Sequence, residues 1–559
     1  MGNNEPVMQD VFEVSSQPYK VSLFHHQITW CPQRRGCEDL SELVNLKIHD
    51  VLSVELLNCI NSDENQNRTE AGCCVTVSSP NDNSARESLI INFAQRKKNS
   101  NDWKPKQTRF SHSDSNVLNN WLSFIQSKIQ GIKSRPKNLL FFVNPYGGKR
   151  KASKIFEKQV RPLLIMCNVK STVINTKYRN HVTEFLTSMS KDKLCEYDVV
   201  VAVGGDGTMC EVVSGLLMRG LDISQGDEAP LSPSPVPVAV IPAGSSNALA
   251  YTLHGTGDAT TGAIHMILGG SVPLDVAAIR NHSGIHRFIV GQMSYGHLGD
   301  TLHDSEKLRW MGPKRYDYAG FRKFLSHATY QGSIDMKLSA DEFHKHPTVC
   351  DGGSGCKECM ASGNAEKPSE WRRVEGKFLG ISGANISCRC ALSPMGMAPF
   401  AHLSDGFIDL TLVKKASRVG HLRYLLRIAG DSRRALALPF VERYRVEEFI
   451  FTPVQCCEPS SSQDSIIRGP FMEAGSSASM VACGCDVRKQ EKLHSVWNCD
   501  GELFLQPSVR VTVHKNLIRI MSRNLPDFSS INQQEHSSSR PSTVGSASQS
   551  NYDIRSGWM

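Results

Sequence analysis

Apolar positions change their spacing along this chain, and each spacing predicts a different architecture. Between residues 136 and 280, short apolar runs such as 199–203 precede stretches in which apolar residues recur with helical spacing. The run 199–203 is rich in β-branched residues, which is typical of a buried strand. Four strand–helix units in succession predict an α/β lobe with a parallel sheet and helices on both faces.

A second pattern begins at residue 281, where apolar and polar residues alternate. The period-two runs are Ile334, Met336 and Leu338; Ile408, Leu410 and Leu412; and Val509, Val511 and Val513. Such alternation predicts half-buried antiparallel strands, so residues 281–523 should form a β-rich lobe. The insertions at 345–370 and 455–490 should be loops, and the Ser-rich tail 524–559 should be disordered.

The region before the α/β lobe is expected to be a β domain. Residues 1–18 are expected to be a flexible N-terminus, and residues 19–131 combine strand-like runs with one amphipathic helix. That helix should bury Val117, Leu118, Trp121, Leu122, Ile125 and Ile129. Strands closed by one helix resemble a pleckstrin-homology domain, which implies membrane targeting and phosphoinositide contacts, with Lys20, Arg34 and Arg35 as candidates. The alternative is a β-sandwich that only packs against the rest of the chain.

Composition narrows the class of protein. The chain has 63 Lys and Arg against 55 Asp and Glu, and this net charge of +8 suits an anionic partner, whereas a nucleic-acid-binding protein is usually more basic. No stretch approaches 18 consecutive apolar residues, so any membrane contact should be peripheral. The N-terminus lacks the apolar segment of a secretory signal, so the 18 cysteines are expected to be reduced thiols in the cytoplasm.

Three glycine-containing turns each follow a predicted strand and open a predicted helix. They are Asn-Pro-Tyr-Gly-Gly at 144–148, Gly-Gly-Asp-Gly-Thr at 204–208 and Pro-Ala-Gly-Ser-Ser-Asn at 242–247. Such turns expose backbone N–H groups at a helix N-terminus, and a missing Cβ lets a phosphate come close. The Walker A and Rossmann glycine spacings are both missing, so the pattern predicts a phosphate site of another kind at the carboxyl edge of the sheet.

The carboxylate of the second turn needs an explanation, because Asp206 beside a phosphate would repel it. The repulsion is removed if a cation intervenes or if the carboxylate accepts a proton. The helix after this turn is expected to start at Thr208, with Thr208 and Glu211 in capping-box positions. Glu211 is therefore assigned to helix capping in preference to magnesium binding.

The motifs NPYGGKRKA, VGGDGTMCEV and IPAGSSNALAY resemble the diacylglycerol kinase catalytic fold, which sphingosine kinases and ceramide kinases share. Longer stretches, among them GDTLHDSEKLRWMGPKRYDYAGFRKFLSH and GKFLGISGANISCRCALSP, are similar to the ceramide kinases, and the likeness covers about residues 20–523. The resemblance implies transfer of the γ-phosphate of ATP, with magnesium, to the primary hydroxyl of ceramide. It also implies a cytoplasmic protein that acts peripherally at the Golgi or the plasma membrane.

The resemblance implies a role for particular residues. Asp206 matches the proton acceptor of the family, and Gly204, Gly205 and Gly207 match the strip that contacts nucleotide and lipid. The implied nucleotide contacts are Asn144, Pro145 and Tyr146; Thr176, Lys177, Tyr178, Arg179 and Asn180; Gly244, Ser245 and Ser246; and Asp500, Gly501 and Glu502. Asp275 stands where related sphingosine kinases hold the polar head of the lipid.

Several assignments stay open at the level of sequence. Asp405 either forms an ordinary Asp-Gly turn or contributes a carboxylate to catalysis, as in bacterial lipid kinases of this fold. The basic amphipathic segment 417–434 either packs as a surface helix or binds anionic membrane or calmodulin. Ceramide kinases have a calmodulin-responsive segment at this place, which implies regulation by calcium.

The cysteines of the β-rich lobe are assigned no metal. Cys356 and Cys359 form one Cys-x-x-Cys pair, with Cys350 before it and Cys388 and Cys390 after it. One such pair is only half a zinc site. Ceramide kinases carry Cys-x-x-x-Cys-x-x-Cys here, whereas five residues separate the first two cysteines of this chain, so a structural or redox role is expected.

Two rival functions remain beside the lipid kinase that phosphorylates ceramide. One is a kinase with sphingosine or diacylglycerol as its substrate, because the phosphate-binding turns are shared. The other is a lipid-binding adaptor without catalysis, which the complete glycine turn around Asp206 disfavours.

Overall fold

The computed structural model describes residues 5–33, 42–57, 87–219, 231–281, 284–312, 314–338, 348–350, 356–360, 370–391, 393–454 and 494–523. The predicted tail 524–559, the insertion 455–490 and the phosphoinositide candidates Arg34 and Arg35 lie outside these residues.

The N-terminal region is a seven-stranded antiparallel sheet with one helix. Its elements are β1 (Met8–Val14), β2 (Gln17–Leu23), β3 (Gln27–Pro32), β4 (Val44–Lys47), a 3-10 turn (Ile48–Asp50), β5 (Val51–Leu57), β6 (Ser88–Arg96), β7 (Trp103–Ser111) and α1 (Ser115–Gln130). The strand order is β4-β3-β2-β1-β7-β6-β5. The expectation of a flexible segment 1–18 was wrong for the residues of β1, which pair with β2 along their whole length.

Helix α1 closes this sheet as its spacing predicted. The Asp114 side chain accepts a hydrogen bond from the Asn116 N–H and caps the helix. Leu118, Trp121 and Ile125 are fully buried against the sheet, and the Trp121 indole N–H donates to the Asp10 carboxylate at 2.7 Å. The other three predicted positions, Val117, Leu122 and Ile129, are partly buried against the same core.

The α/β lobe contains the predicted parallel strands. Its elements are β8 (Asn138–Val143), α2 (Ala152–Ile155), a π-helical turn (Phe156–Val160), α3 (Arg161–Met166), β9 (Lys170–Asn175), α4 (His181–Ser188), α5 (Lys191–Cys195), β10 (Val199–Gly204), α6 (Asp206–Met218), β11 (Val238–Pro242), α7 (Ala248–His254) and α8 (Ala259–Leu268). All adjacent pairs are parallel, in the order β9-β8-β10-β11. Alternate residues of the central strands pack against helices on opposite faces, with α4, α6 and α7 on one face and α3 and α8 on the other.

The C-terminal region is antiparallel. Its elements are β12 (Ser271–Asn281), β13 (Gly284–Ile289), β14 (Gln292–Gly296), α9 (His297–Glu306), a 3-10 turn (Arg309–Met311), α10 (Lys314–Ser326), β15 (Tyr330–Leu338), α11 (Lys357–Met360), β16 (Glu370–Ala384), β17 (Ile408–Lys414), α12 (Arg418–Ala429), α13 (Ser432–Leu436), β18 (Val441–Pro453), β19 (Trp497–Cys499), β20 (Glu502–Phe504) and β21 (Val509–Met521). The strand order is β20-β19-β14-β16-β15-β18-β21, with β17 paired to β16 and β18, and β12 paired to β13 and β21.

Strand β21 joins the two lobes into one mixed sheet. It pairs antiparallel with β12 and β18, and at its end Ile520 pairs in parallel with Val238 of β11. Since β12 already belongs to the antiparallel part, the change of direction comes before the boundary expected at residue 280. The C-terminal end of the described chain therefore returns to the sheet that carries the glycine turns.

The N-terminal sheet docks on the α/β lobe through polar contacts. The Trp103 N–H donates to the Thr261 hydroxyl at 2.8 Å, and the Thr256 hydroxyl donates to the Asp102 carboxylate at 2.6 Å. Arg523, just after β21, forms an ion pair with Asp50 at 2.7 Å. Among the described residues no helix is both long enough and apolar enough to span a bilayer.

Candidate active site

The carboxyl ends of β8, β10 and β11 carry the three glycine-containing turns. The chain passes from β8 to β9 on one side and from β10 to β11 on the other, so the strand order reverses between the neighbouring strands β8 and β10. Ligands of open α/β sheets bind in the crevice at such a switch point. The turns at 144–148, 204–208 and 242–247 follow these strands directly and border the crevice.

The turns touch one another backbone to backbone. A Cβ atom on Gly244 would lie 2.4 Å from the Cα of Gly205, and one on Gly148 would lie 2.9 Å from the carbonyl carbon of Gly244. No side chain tolerates such distances, so glycine is required at this contact for close approach as well as for turn geometry. The three turns therefore form one continuous backbone surface.

Asn144 holds the first turn and connects it to the second. Its side-chain oxygen accepts hydrogen bonds from the N–H groups of Tyr146 at 3.0 Å and Gly147 at 3.1 Å. Its side-chain NH₂ donates to the Thr208 hydroxyl at 3.0 Å. Pro145, between Asn144 and Tyr146, has no backbone N–H to donate. The Tyr146 ring is exposed at the surface.

Helix α6 begins at Asp206, and the expected start at Thr208 was wrong. Gly205 is the N-cap in extended conformation, and its carbonyl accepts the N–H groups of both Thr208 and Met209 at 3.0 and 3.3 Å. The Thr208 hydroxyl binds Asn144, so the predicted capping box does not form. Asp206 is therefore held in the first turn of a helix, where the helix dipole favours a negative charge.

The Asp206 carboxylate also caps the next helix. Its two oxygens accept the N–H groups of Ala248 and Leu249 at the start of α7, each at 3.0 Å. Burial raises the pKa of Asp206 above its usual value, and these hydrogen bonds oppose the rise. The residue retains partial exposure beside the glycine surface. The α7 backbone thus fixes the orientation of the carboxylate, while burial raises its proton affinity against the effect of these hydrogen bonds.

Glu211 caps a helix, although not its own. Its carboxylate accepts the Val182 N–H at 3.3 Å and its backbone carbonyl accepts the Thr183 hydroxyl at 3.0 Å, so it serves the N-terminus of α4. Burial raises the pKa of Glu211, while hydrogen bonds from the backbone of Asn180 and Val182 oppose the rise. Glu211 was correctly interpreted as a capping residue, but it caps α4 and not its own helix α6. The contact joins two helices that are distant in sequence.

Glu502 reaches the crevice from the C-terminal region. Its Oε1 lies 3.6 Å from the position of a Cβ on Gly207, next to the start of α6. Its Oε2 is paired with Arg179 at 2.8 Å and with Arg287 at 3.4 Å. Arg287 Nη1 is buried and has no hydrogen-bond partner among the described residues. The sequence contained no signal for Arg287, which lies in the ordinary strand β13.

Asp500 lies behind Glu502 and is fully buried. Its carboxylate accepts the N–H groups of Val290, Gly291 and Gln292 at 2.7 to 2.9 Å. Burial raises its pKa to about 7, and the nearby Asp206 contributes to the rise. Asp500 and Gly501 both have positive φ in the two-residue turn between β19 and β20, so an Asp-Gly hairpin turn of the type I′ class aims Glu502 at the glycine surface.

Asp275 is also fully buried, at a register shift in β12. Its oxygens accept the N–H groups of Gly406 at 2.6 Å and Asn516 at 2.8 Å. Burial raises its pKa to about 7 despite these hydrogen bonds. In this structure the carboxylate joins three segments of backbone, and its role toward a lipid head stays a prediction.

Asp405 occupies the turn before β17 and is paired with Arg445 at 2.6 Å. It also accepts the Phe407 N–H at 3.0 Å, so its geometry is that of the ordinary turn. Of the remaining predicted contacts, Thr176 is buried, whereas Lys177, Tyr178, Arg179, Asn180, Ser245, Ser246 and Gly501 are exposed, and their role toward the nucleotide stays a prediction. A cavity of about 370 Å³, lined by Pro145 and Asn175, opens beside the first turn.

The structure groups cysteines that the sequence analysis left without a metal. The sulfurs of Cys350, Cys356 and Cys359 and a ring nitrogen of His402 lie within 4.8 Å of one another. Cys388 and Cys390 are not members of this group. His402 was missed because it lies far along the chain from the Cys-x-x-Cys pair.

Comparison with known proteins agrees with this arrangement. Residues 138–279 match the diacylglycerol kinase catalytic domain, and residues 292–536 match the ceramide kinase C-terminal domain. The chain is 36% identical to the ceramide kinase of Mus musculus over 450 residues, which are 76% of this chain and 82% of that protein. It is also 36% identical to the ceramide kinase of Homo sapiens, over 76% of this chain and 81% of that protein.

The chain belongs to the ceramide kinase family. A solved structure, a putative diacylglycerol kinase from Bacillus anthracis str. Sterne, aligns with 70% of this chain and 99% of its own, at 14% sequence identity and a TM-score of 0.42.

Proposed function

We propose that this protein is an ATP-dependent ceramide kinase that forms ceramide 1-phosphate at a membrane surface. The observation that carries the proposal is the position of Asp206, beside the contact between Gly205 and Gly244, in a chain of the ceramide kinase family. The active site is the crevice bordered by the three glycine turns and closed from the C-terminal region by Glu502.

The glycine turns bind the phosphates of ATP. Their backbones lie close together without side chains, so N–H groups at the starts of helices can approach phosphate oxygens directly. Asn144 holds the first turn in shape. Phosphoryl transfer requires mainly positioning and charge stabilisation, and a rigid backbone surface provides the positioning.

Arg179 and Arg287 compensate the negative charge of the phosphates from the side of the crevice where Glu502 lies. Glu502 holds both guanidinium groups next to Gly207. The unpartnered buried Nη1 of Arg287 is a donor suited to an anionic oxygen. Glu502 therefore acts as a positioning residue for two cations at the nucleotide.

Asp206 accepts the proton of the ceramide primary hydroxyl as that oxygen bonds to the γ-phosphorus and ADP leaves. Its raised pKa improves it as a proton acceptor near neutral pH. The two N–H groups of α7 fix the carboxylate and stabilise its charged form before the proton arrives. This role explains why a carboxylate stands among phosphate-binding turns.

Magnesium fits the acidic groups of this site. Asp206 and the Oε1 of Glu502 both lie at the start of α6, which suits an ion held chiefly by nucleotide phosphates and by one or two carboxylates. When bound, the ion would neutralise charge on the phosphate oxygens.

The C-terminal region carries a surface suited to a bilayer. α10 and the turn before it expose Trp310, Tyr318, Phe321 and Leu325, and the neighbouring α12 exposes Val419, Leu422 and Leu426. The two helices pack through Phe324 and His421, whose ring centroids are 5.6 Å apart. Arg322, Arg423 and Arg427 on the same helices suit anionic headgroups. We define these seven apolar residues as the apolar patch.

The patch favours a membrane over calmodulin as the partner of α12. His421 and Tyr424 of α12 are buried in its own domain, and calmodulin would have to displace them to enclose the helix. A pull-down with calcium-loaded calmodulin tests this choice. Regulation by calmodulin requires that it binds the folded protein, whereas a membrane partner predicts that it does not.

The N-terminal sheet is proposed to be the second membrane contact. Seven antiparallel strands followed by one helix support a pleckstrin-homology-like module, and phosphoinositides are its proposed ligands. Lys20 lies on β2 of this sheet. Membrane recruitment concentrates the enzyme near a substrate that hardly dissolves in water.

The substrate test uses the purified full chain with labelled ATP and magnesium. Mixed micelles contain ceramide, sphingosine or diacylglycerol at equal surface concentration. The proposal predicts labelled product with ceramide well above the other two. A preference for sphingosine or diacylglycerol would assign the rival substrate, and no transfer to any lipid by protein that binds ceramide would favour the adaptor.

A further inference from the structure

A buried group of three thiols and one imidazole lies in the C-terminal region, away from the glycine turns. Cys350, Cys356 and His402 are buried and Cys359 is half-buried. Cys356 directly precedes the short helix α11, Cys359 lies within that helix, and His402 lies in the loop before β17. One potential ligand atom from each residue lies within 4.8 Å of those of the other three.

The spacing of these atoms is that of a tetrahedral metal site. Zn–S bonds of about 2.3 Å and Zn–N bonds of about 2.0 Å place two sulfurs about 3.8 Å apart and a sulfur and a nitrogen about 3.5 Å apart. Cys350 Sγ lies 3.7 Å from Cys359 Sγ and 4.0 Å from Cys356 Sγ. His402 Nδ1 lies 3.2 Å from Cys356 Sγ and 4.0 Å from Cys359 Sγ.

A disulfide explains the group less well. The S–S bond of a disulfide is about 2.05 Å long, and all three cysteines are free at much larger separations. A disulfide would also use only two of the three cysteines, so it would not explain why the third thiol and the imidazole lie beside them. Three sulfurs and one nitrogen within 4.8 Å of one another match the Cys₃His set of structural zinc sites.

The surroundings favour thiolate ligands. Backbone N–H groups of Cys359, Leu403 and Ser404 donate to the sulfurs of Cys356, Cys350 and Cys359 respectively. Hydrogen bonds of this kind orient ligands and stabilise their negative charge. Three thiolates and a neutral imidazole around Zn²⁺ leave a net charge of −1, and the buried Arg389 lies near enough to Cys350 to offset it.

We propose that Cys350, Cys356, Cys359 and His402 bind one zinc ion in a closed structural site. Binding releases the three thiol protons to solvent, and four protein ligands leave no position open for substrate. The ion would clamp Cys350, Cys356 and Cys359 to the loop that contains His402. That loop continues to Gly406, whose N–H donates to the Asp275 carboxylate of β12. The zinc site would therefore stabilise the turn at Gly406, which packs where β12 pairs with β21.

The test measures metal in the full chain, purified without added metal or chelator. Elemental analysis is expected to find one zinc per chain, and cobalt exchanged into the protein should show the d–d bands of tetrahedral coordination and a thiolate charge-transfer band. Cys359→Ser and His402→Ala should lower zinc content to near zero. His402→Cys should retain it, because a Cys₄ set also binds zinc.

Cys195→Ser is the matched control, since this thiol is exposed on α5 outside the group, and it should leave zinc content unchanged. Folded wild-type protein without zinc that also fails to bind cobalt would overturn the proposal. So would zinc content that is equal in wild type, Cys359→Ser and His402→Ala. Because metal content is read without any kinase assay, these results do not depend on the proposed function.

Discussion

Gly205 and Gly244 meet with so little space between them that a Cβ on Gly244 would lie 2.4 Å from the Cα of Gly205. One residue ends the turn after β10 and the other lies in the turn after β11, so the contact fixes two helix N-termini relative to each other. Asp206 lies next to the first glycine and bonds to the helix that follows the second. The contact therefore determines where the carboxylate stands relative to the phosphate-binding backbone.

Replacing Gly244 by alanine should inactivate the enzyme. The added methyl group forces the two turns apart, and a displacement of about 1 Å at a reacting centre costs on the order of 100-fold in rate. Overpacking should also lower the free energy of unfolding by about 1 to 3 kcal/mol. Steady-state kinetics and urea unfolding measure the two effects. Gly376→Ala is the control, because its nearest contact would be an ordinary 3.9 Å, and equal losses in both variants would refute the explanation.

Arg287→Ala should weaken ATP binding more than it changes the chemical step. A lost charge-assisted hydrogen bond costs about 1.5 kcal/mol or more, so the KM for ATP should rise about tenfold while the KM for ceramide stays nearly constant. Arg373→Ala removes an exposed arginine that pairs with Glu375 on β16 and should leave both constants unchanged. An unaltered KM for ATP in Arg287→Ala would remove this residue from the nucleotide site.

Asp275→Asn should flatten the pH dependence of stability between pH 6 and 8. Burial raises the folded-state pKa of Asp275 from 3.8 to about 7, so the folded protein binds a proton that the unfolded chain has lost. The bound proton raises the free energy of unfolding. This stabilisation is fully present below about pH 4 and is lost as pH rises through 7, and the loss between pH 6 and 8 is about 1.4 kcal/mol. Urea unfolding of wild type and variant at both pH values measures the difference. Identical slopes would mean that Asp275 is ionised throughout this range.

Phe321→Ser should reduce binding to vesicles about tenfold, since burying a Phe side chain contributes about 1.5 to 3 kcal/mol. Activity toward a dispersed short-chain ceramide should remain, because the residue lies in the apolar patch and outside the glycine turns. Ile165→Ser is the control, since Ile165 on α3 is 70% exposed, against 59% for Phe321, and lies outside the patch. If the two substitutions lower vesicle binding alike, the patch is not the membrane contact.

The sequence pattern predicted the strands and turns of the α/β lobe because those depend on local order. A β-branched run that ends in glycine marked β10, short apolar runs before the other two turns marked β8 and β11, and their parallel arrangement followed from the strand–helix alternation. The start of α6 was placed two residues late because Gly205 is extended while its carbonyl already accepts the first helical bonds. The Asp-Gly pair at residues 500–501 is also a hairpin signal, although such a turn was considered only at Asp405.

Contacts between distant segments could not be predicted in this way. Glu211 caps α4, Arg287 joins Glu502, and His402 joins the cysteines only because the sheet brings these segments together. Likewise, Asp275 lies at a register shift whose position depends on the pairing of β12 with β21. Spacing along the chain contains no information about such partners. Strand β1 was missed for another reason, because the alternation of apolar and polar residues along it is weak.

The rate of phosphate transfer from ATP to ceramide in Asp206→Asn tests the central claim most directly. Asparagine keeps the size of the side chain, while circular dichroism and ATP binding verify that the variant is folded. Loss of a general base should lower kcat by about 100- to 10,000-fold, with the KM for ATP nearly unchanged. A folded Asp206→Asn variant that phosphorylates ceramide within a few-fold of the wild-type rate would contradict the assignment of Asp206 as the proton acceptor.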